Sequence, residues 1–358
     1  MVVDERYMQR CLQLAENGKG FVSPNPMVGA VIVCDDKIIG EGFHRECGKA
    51  HAEVNAINCV KDSSLLQKST IYVSLEPCSH YGKTPPCAQL IIDSEIPRVV
   101  VATLDPYYKV SGRGVKMLRD AGIEVVVGVL EKESQELNKA FFTSQQLNRP
   151  YIYLKWAQTK DGFIDRLRIP GEEAKPTLIS NSFTRMLVHK LRSECSAILV
   201  GTNTAITDNP SLTTRYWYGK NPVRIILDRQ HRIPSGCMVF DNSADTIIFT
   251  ETVTTVTQPE RTRHISLNFD NNMIGTLLLE LNIQKLNSLL VEGGQQILQS
   301  FIDSGFWDEA FIEVSDMKFG TGTPVPNIEG NVIREYYSTG YKRIHLSNDS
   351  RLHCEKYL

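Results

Sequence analysis

The chain has almost no charge imbalance: 39 basic and 41 acidic side chains leave a formal net charge of −2. That excludes the broad basic face on which non-specific nucleic-acid binding depends, and no block of like charge forms an acidic or basic tail. Long apolar runs are also missing. Nothing approaches the roughly 18 uninterrupted apolar residues of a membrane-spanning helix. The opening Met1-Val2-Val3-Asp4-Glu5-Arg6 lacks a basic start followed by an apolar stretch, so no secretory signal is expected. There is no internal repeat and no low-complexity tract. Cysteine is neither absent nor dense: nine residues, an odd number, are scattered along 358 positions. A secreted disulfide scaffold is shorter and richer in Cys. Reduced thiols in a cytoplasm fit better, some of them available to bind metal.

What is present is ordinary globular material, 42% apolar and 22% charged, long enough for two or three domains. Over the first 150 residues apolar spacing switches repeatedly between helical and strand periods. Helices are predicted over 4–16, 51–60, 86–94, 114–121 and 131–148, the last as one long polar helix. Strands are predicted at 28–34, 37–43, 70–75, 98–103 and 123–127, the first two as a hairpin around Asp35-Asp36. Asn148-Arg149-Pro150 breaks the pattern, because Pro ends the preceding helix. A second set then begins at Tyr151, with helices near 182–194, 275–283 and 294–304. Its strands fall near 196–200, 223–228, 246–250, 288–291 and 307–314. The alternation predicts α/β architecture, largely parallel sheets with helices on both faces, in two domains, 1–149 and 150–358.

The chemistry-bearing cluster lies in the first domain. His51-Ala52-Glu53 is followed by Pro77-Cys78 and then Cys87. One imidazole and two thiolates suit Zn²⁺, and three protein ligands leave a fourth position for water, the arrangement of a catalytic site. Glu53 would stay unligated and shuttle the water's proton to a leaving amine. An isolated buried Cys is more often plain core. The neighbouring Glu and the Pro-Cys pair instead match the H-x-E…P-C-x-x-C signature described for zinc deaminases. The Cys spacing departs from it: eight residues separate Cys78 from Cys87, forming a loop rich in donors, among them Ser79, His80, Lys83 and Thr84. His80 is the local rival for a fourth ligand, which would make the zinc structural.

These residues, with Pro24-Asn25-Pro26-Met27-Val28-Gly29, Ser111-Gly112-Arg113-Gly114, Lys155, Asp161-Gly162, Asp208-Asn209-Pro210 and Glu292-Gly293-Gly294, closely resemble the bifunctional riboflavin-biosynthesis deaminase/reductase family along essentially the whole chain. The resemblance implies a cytidine-deaminase-like α/β/α sandwich followed by a dihydrofolate-reductase-like α/β domain. The first would deaminate a diaminopyrimidinone ribosylamine 5′-phosphate; the second would reduce the ribosyl side chain to ribityl with NADPH. Carried over residue by residue, His51, Cys78 and Cys87 hold zinc, and Glu53 is the proton shuttle. Asn25, His44, His80 and Lys83 contact the pyrimidine substrate. In the second domain Lys155, Arg192, Leu212, Arg215 and Glu292 fall to substrate, and Ala157, Thr204, Asp208, Arg229, Gly293 and Gly294 to cofactor. The implied setting is a cytoplasmic homo-oligomer that uses neither membrane nor nucleic acid.

Two stretches depart from the family. The family usually reads Asp-Pro-Asn-Pro where this chain has Asp105-Pro106-Tyr107-Tyr108-Lys109-Val110. Its Gly-Glu-Ser-x-Trp-Ile-Thr run is replaced by a longer one from Gly171 to Ser180, lacking the Trp and the Ser in register. Without the resemblance the second domain would read only as α/β: no Gly-rich dinucleotide fingerprint follows its first strand, and two glycines after a strand are more often a plain turn. A deaminase with a non-catalytic second domain, a nucleic-acid base deaminase and a zinc-stabilised binding module are the alternatives.

Overall fold

A computed structural model describes residues 4–81, 85–107, 111–168, 177–252 and 259–348. The chain divides into two compact units, Met1–Asn148 and Arg149–Leu358.

Unit one contains α1 (Glu5–Glu16), β1 (Gly29–Cys34), β2 (Lys37–Phe43), α2 (Ala52–Asn58), β3 (Thr70–Val73), α3 (Cys87–Asp93), β4 (Arg98–Val101), α4 (Arg113–Asp120), β5 (Glu124–Val127), α5 (Glu131–Leu137) and α6 (Lys139–Leu147). Its five strands lie in the order β2-β1-β3-β4-β5. β1 runs antiparallel to both neighbours and only β3, β4 and β5 are parallel, so this sheet is mixed. The hairpin has a local cause: Asp35 and Asp36 both adopt positive φ, 49° and 56°, the twist a two-residue turn needs. β1 is buried at every position. One face packs Ala30 and Ile32 against α2, α3 and α4; the other packs Val31 and Val33 against α1. The expected long helix after residue 131 is instead two, broken at Asn138 (φ −102°, ψ 19°). There the buried Asn138 amide accepts from Met27 N (2.8 Å) and donates to Met27 O (2.9 Å), as a paired strand would.

Unit two contains β6 (Tyr151–Thr159), β7 (Phe163–Arg166), α7 (Ser182–Glu194), β8 (Ala197–Gly201), α8 (Thr202–Thr207), β9 (Val223–Leu227), β10 (Thr246–Thr250), β11 (Thr262–Ser266), α9 (Met273–Ile283), β12 (Ser288–Val291), α10 (Gln295–Asp303), β13 (Glu309–Ser315), β14 (Gly322–Pro324), β15 (Asn331–Ser338) and β16 (Tyr341–Ser347). Nine strands form one sheet, β11-β10-β9-β8-β12-β6-β13-β16-β15, and β14-β7 is a separate ribbon. From β11 to β13 every pairing is parallel; the closing β16 and β15 are antiparallel. Apolar clusters cover both faces of its central strands β8, β9, β10 and β12, which is why these read as runs rich in Ile, Leu and Val. Arg224 on β9 is the exception: fully buried, it donates to Ser211 O, Val239 O, Asp241 Oδ1 and Ser243 Oγ.

Candidate functional site

In unit one, three loops converge. His51 caps the N-terminus of α2 in extended backbone, which puts Glu53 in the first helical turn. Cys78 follows β3 through a short connection, and Cys87 opens α3. The His51 Nδ1 lies 3.6 Å from Cys78 Sγ and 3.4 Å from Cys87 Sγ, and the three ligand atoms sit within 4.8 Å of one another. Metal bonds of about 2.0 Å to nitrogen and 2.3 Å to sulfur, at tetrahedral angles, place such atoms roughly 3.5 Å apart, so the donor set fits one Zn²⁺. Among the described residues no fourth ligand joins the cluster. His80 is exposed and acts electrostatically on Asp105 instead; Lys83 lies outside the described residues.

The electrostatics suit a bound cation. The Cys87 backbone N–H donates to Cys78 Sγ at 3.2 Å. The Cys87 side chain, and then His51, pull the Cys78 thiol well below its ordinary range, while the same pairing pushes Cys87 up. His51 is raised, chiefly by its hydrogen bond with Cys78. Glu53 is 2% exposed, its Oε2 is buried without a hydrogen-bond partner, and burial pushes its carboxyl up to about 7. A buried carboxylate oxygen left unpaired is costly and marks a place for a proton donor.

Asn25 and His44 join this site. Their rings and amide form a relay: Asn25 Nδ2 lies 3.1 Å from His44 Nε2, and His44 Nδ1 lies 3.1 Å from Ala50 O. Since a carbonyl only accepts, Nδ1 carries the proton and Nε2 accepts from the amide. Burial lowers the His44 pKa, consistent with a neutral ring, which stands edge-on to His51 at 5.4 Å.

Glu76 was not singled out by sequence. Buried one residue before Pro77, its carboxylate accepts from the backbone N–H of Asp105 (3.1 Å), Gly112 (2.9 Å), Gly114 (2.8 Å) and Val115 (3.2 Å). Gly114 must be Gly, because a Cβ there would lie 2.0 Å from Pro77 O. The Ser111-Gly112-Arg113-Gly114 run is thus a clamp on the metal loop. Only a Glu ahead of Pro-Cys hinted at it. Glu76→Ala strands four amides and is expected to lower the stability of this unit by about 3 kcal/mol, read by denaturant unfolding, with reduced zinc retention. Stability within 1 kcal/mol of wild type would refute the clamp. Tyr108–Val110, in the first departing stretch, lie outside the described residues.

In unit two a cleft of about 1220 Å³ opens beside β6, β8 and α10. Lys155, Ala157, Arg192, Thr204, Asp208, Leu212, Arg215, Arg229, Glu292 and Gly294 all line it. Gly293 supports the wall: a Cβ on it would meet Val200 Cα at 2.5 Å. Gly294 (φ 49°) caps α10. Several expected contacts are engaged within the protein. Arg192 forms a two-armed pair with Glu292, Nε to Oε1 at 2.9 Å and Nη2 to Oε2 at 2.6 Å. Arg229 pairs with Glu251 at 2.8 Å. Asp208 meets Arg168 at 3.3 Å, and burial raises its pKa. Arg215, by contrast, is exposed, and its backbone N–H donates to His189 Nδ1 at 2.9 Å. Burial first, then Arg192 and Arg215, press His189 down to about 4. In the second departing stretch, 171–176 lie outside the described residues; the Thr177 hydroxyl donates to Asp165 Oδ1.

Comparison with known proteins assigns a family to each unit. Residues 1–103 match the family described as the cytidine and deoxycytidylate deaminase zinc-binding region, and residues 150–342 match the RibD C-terminal domain. Fold and sites therefore define a bifunctional enzyme, a zinc-binding deaminase followed by a dihydrofolate-reductase-like reductase whose family implies a nicotinamide cofactor. The riboflavin biosynthesis protein RibD of Aquifex aeolicus is 40% identical, covering 99% of each chain, and that of Escherichia coli is 34% identical, covering 89% of each. The structure of the Thermotoga maritima diaminohydroxyphosphoribosylaminopyrimidine deaminase/5-amino-6-(5-phosphoribosylamino)uracil reductase is 38% identical, with a TM-score of 0.86 over 96% of this chain and 98% of its own. The chain belongs to the RibD family of riboflavin biosynthesis proteins. No helix among the described residues is long and apolar enough to cross a membrane.

Proposed function

We propose that residues 1–149 remove the 2-amino group of 2,5-diamino-6-ribosylamino-4(3H)-pyrimidinone 5′-phosphate and that residues 150–358 reduce the deaminated product's ribosyl chain to ribityl with NADPH. The observation that carries the first step is the buried, unpaired Glu53 Oε2 beside the His51, Cys78 and Cys87 cluster. Those three side chains would hold Zn²⁺, which when bound supplies Lewis-acid activation of a water. Glu53 takes the water's proton and delivers it to the departing amino nitrogen, so ammonia leaves. Asn25, oriented by the neutral His44, keeps amide valences for the pyrimidine edge, and His80 and Lys83 are assigned to the same substrate.

For the second step, the nicotinamide supplies hydride when bound. Gly293, Gly294, Thr204, Asp208, Ala157 and Arg229 form its side of the cleft. Backbone N–H groups at the start of α10 suit a pyrophosphate, and the exposed Arg229 suits a 2′-phosphate. Lys155, Leu212, Arg215 and the Arg192–Glu292 pair form the substrate side, with Arg215 the guanidinium open to a phosphate. The activity of the Thermotoga maritima relative, a diaminohydroxyphosphoribosylaminopyrimidine deaminase/5-amino-6-(5-phosphoribosylamino)uracil reductase, supports this substrate pair. Eight free cysteines among the described residues support a reducing cytoplasm. The outer strand β15, with Val332, Ile333 and Tyr337 exposed, supports pairing of like chains along that edge.

The test is a pair of assays on the purified full chain. Ammonia release from the diaminopyrimidine phosphate and NADPH oxidation on its deaminated product are both expected, and Lys155→Met is expected to cut only the latter, by at least about 100-fold. Ammonia release without any NADPH oxidation would leave a deaminase with a silent second unit and refute the reductase half.

A further inference from the structure

Five charged side chains of alternating sign cross one face of the large sheet beside the cleft, and two of them, Glu313 and Arg343, were absent from the sequence reading. Arg192 and Glu292 form the first pair, each 12% exposed, and Arg192 also donates to Thr213 O. Lys155 follows on β6, then Glu313 on β13, then Arg343 on β16. Strand register sets this order. Phe311 lies opposite Lys155 and Glu313 opposite Ala157, and side chains two apart share a face, so Lys155 and Glu313 stand on the same side. Glu313 lies opposite Arg343 in the antiparallel pairing of β13 and β16.

Glu292 is committed to Arg192 through both of its oxygens. Glu313 is not committed: it is 4% exposed, and its Oε1 is buried without a hydrogen-bond partner, as is Arg343 Nε. On the two strands that flank it, the lysine and arginine that share its face are Lys155 of β6 and Arg343 of β16. We propose that Glu313 is a positioning residue of the reductase site, the counter-ion that holds the Lys155 ammonium at the cleft wall. Glu292 serves Arg192 instead. The catalytic consequence rests on the reading of Lys155 as a substrate contact; the electrostatic influence of Glu313 on Lys155 does not.

The groups that face Lys155 are Arg192 from α7, Glu292 after β12, Glu313 from β13 and Arg343 from β16, and Glu313 also acts on Tyr341 of the same strand as Arg343. Burial pulls the Lys155 pKa below the lysine range, and Glu313 leads the charges that oppose it. Removing Glu313's charge therefore lowers the pH at which the ammonium is lost.

Competitive labelling of Lys155 with trace acetic anhydride, read by peptide mass spectrometry over a pH series, reports its protonation in the substrate-free full chain. Glu313→Gln is expected to move the midpoint down by about one to two pH units, and Glu313→Asp to restore most of it. Arg343→Gln removes a like charge and is expected to move the midpoint up, which keeps the proposal testable should Glu313→Gln fold poorly. An unmoved midpoint in folded Glu313→Gln, or a downward move in Arg343→Gln, overturns the proposal. The alkaline limb of reductase kcat/KM should follow the labelling midpoint. A moved midpoint with an unmoved limb upholds the counter-ion and refutes the substrate role of Lys155.

Discussion

Glu53→Ala is expected to abolish ammonia release, by about 10³-fold or more, while leaving zinc content and NADPH oxidation on deaminated substrate intact. The three effects separate for distinct physical reasons. Glu53 is not among the metal-ligating side chains, so its loss removes no donor from the ion. It is the buried carboxyl with an unpaired oxygen at that cluster, so its loss removes the group proposed to accept and return the proton. The cleft assigned to hydride transfer is lined by residues of the other compact unit, which the substitution does not touch. Metal analysis, an ammonia assay and the absorbance of NADPH read these separately. Ammonia release near the wild-type rate would remove Glu53 from the mechanism.

Arg224→Met is expected to destabilise the second unit by about 3–5 kcal/mol, the cost of breaking a buried ionic network from one side. The guanidinium ties Ser211 O, Val239 O, Asp241 and the Ser243 hydroxyl to β9. Met fills the stem's volume but takes from Ser211 O its Arg224 donor and leaves Val239 O only the Thr246 hydroxyl. Ser211 also adjoins Leu212, which sits in left-handed backbone (φ 53°) at the cleft wall, so reductase KM should rise alongside. Denaturant unfolding followed by fluorescence, with ammonia release as the internal control, checks this. A loss below 1 kcal/mol would mean that water replaces the network.

The metal set was legible because its residue types leave few alternative uses. One His, a Glu two positions on and a Pro-Cys are uncommon together, and the structure brings the three ligand atoms to within 4.8 Å. The central parallel strands were legible because burial on both faces writes them as apolar runs; β11, the half-exposed Thr262–Ser266, was not. β15 and β16 were not: β15 is exposed along nearly all of Asn331–Ser338, so no periodicity marks it. Helical period alone ran through residue 138, because nothing local in Asn138 reveals that its amide serves Met27, distant in sequence. Glu76 was hidden for the same reason, its four partners lying around residues 105–115. The Arg192–Glu292 pair was anticipated as two separate ligand contacts, since the sequence carries no sign that the residues would neutralise each other.

The tether between Asn138 and Met27 extends the first chemistry further along the chain than its signature does. The zinc-binding match stops at residue 103, yet the segment presenting Asn25 hangs from an amide beyond it. Prolines at 24 and 26 cannot donate to a neighbouring strand, so a borrowed side chain does the holding. A fragment trimmed to the recognisable motif would retain His51, Cys78 and Cys87 and lose the amide that holds Met27, two residues from Asn25.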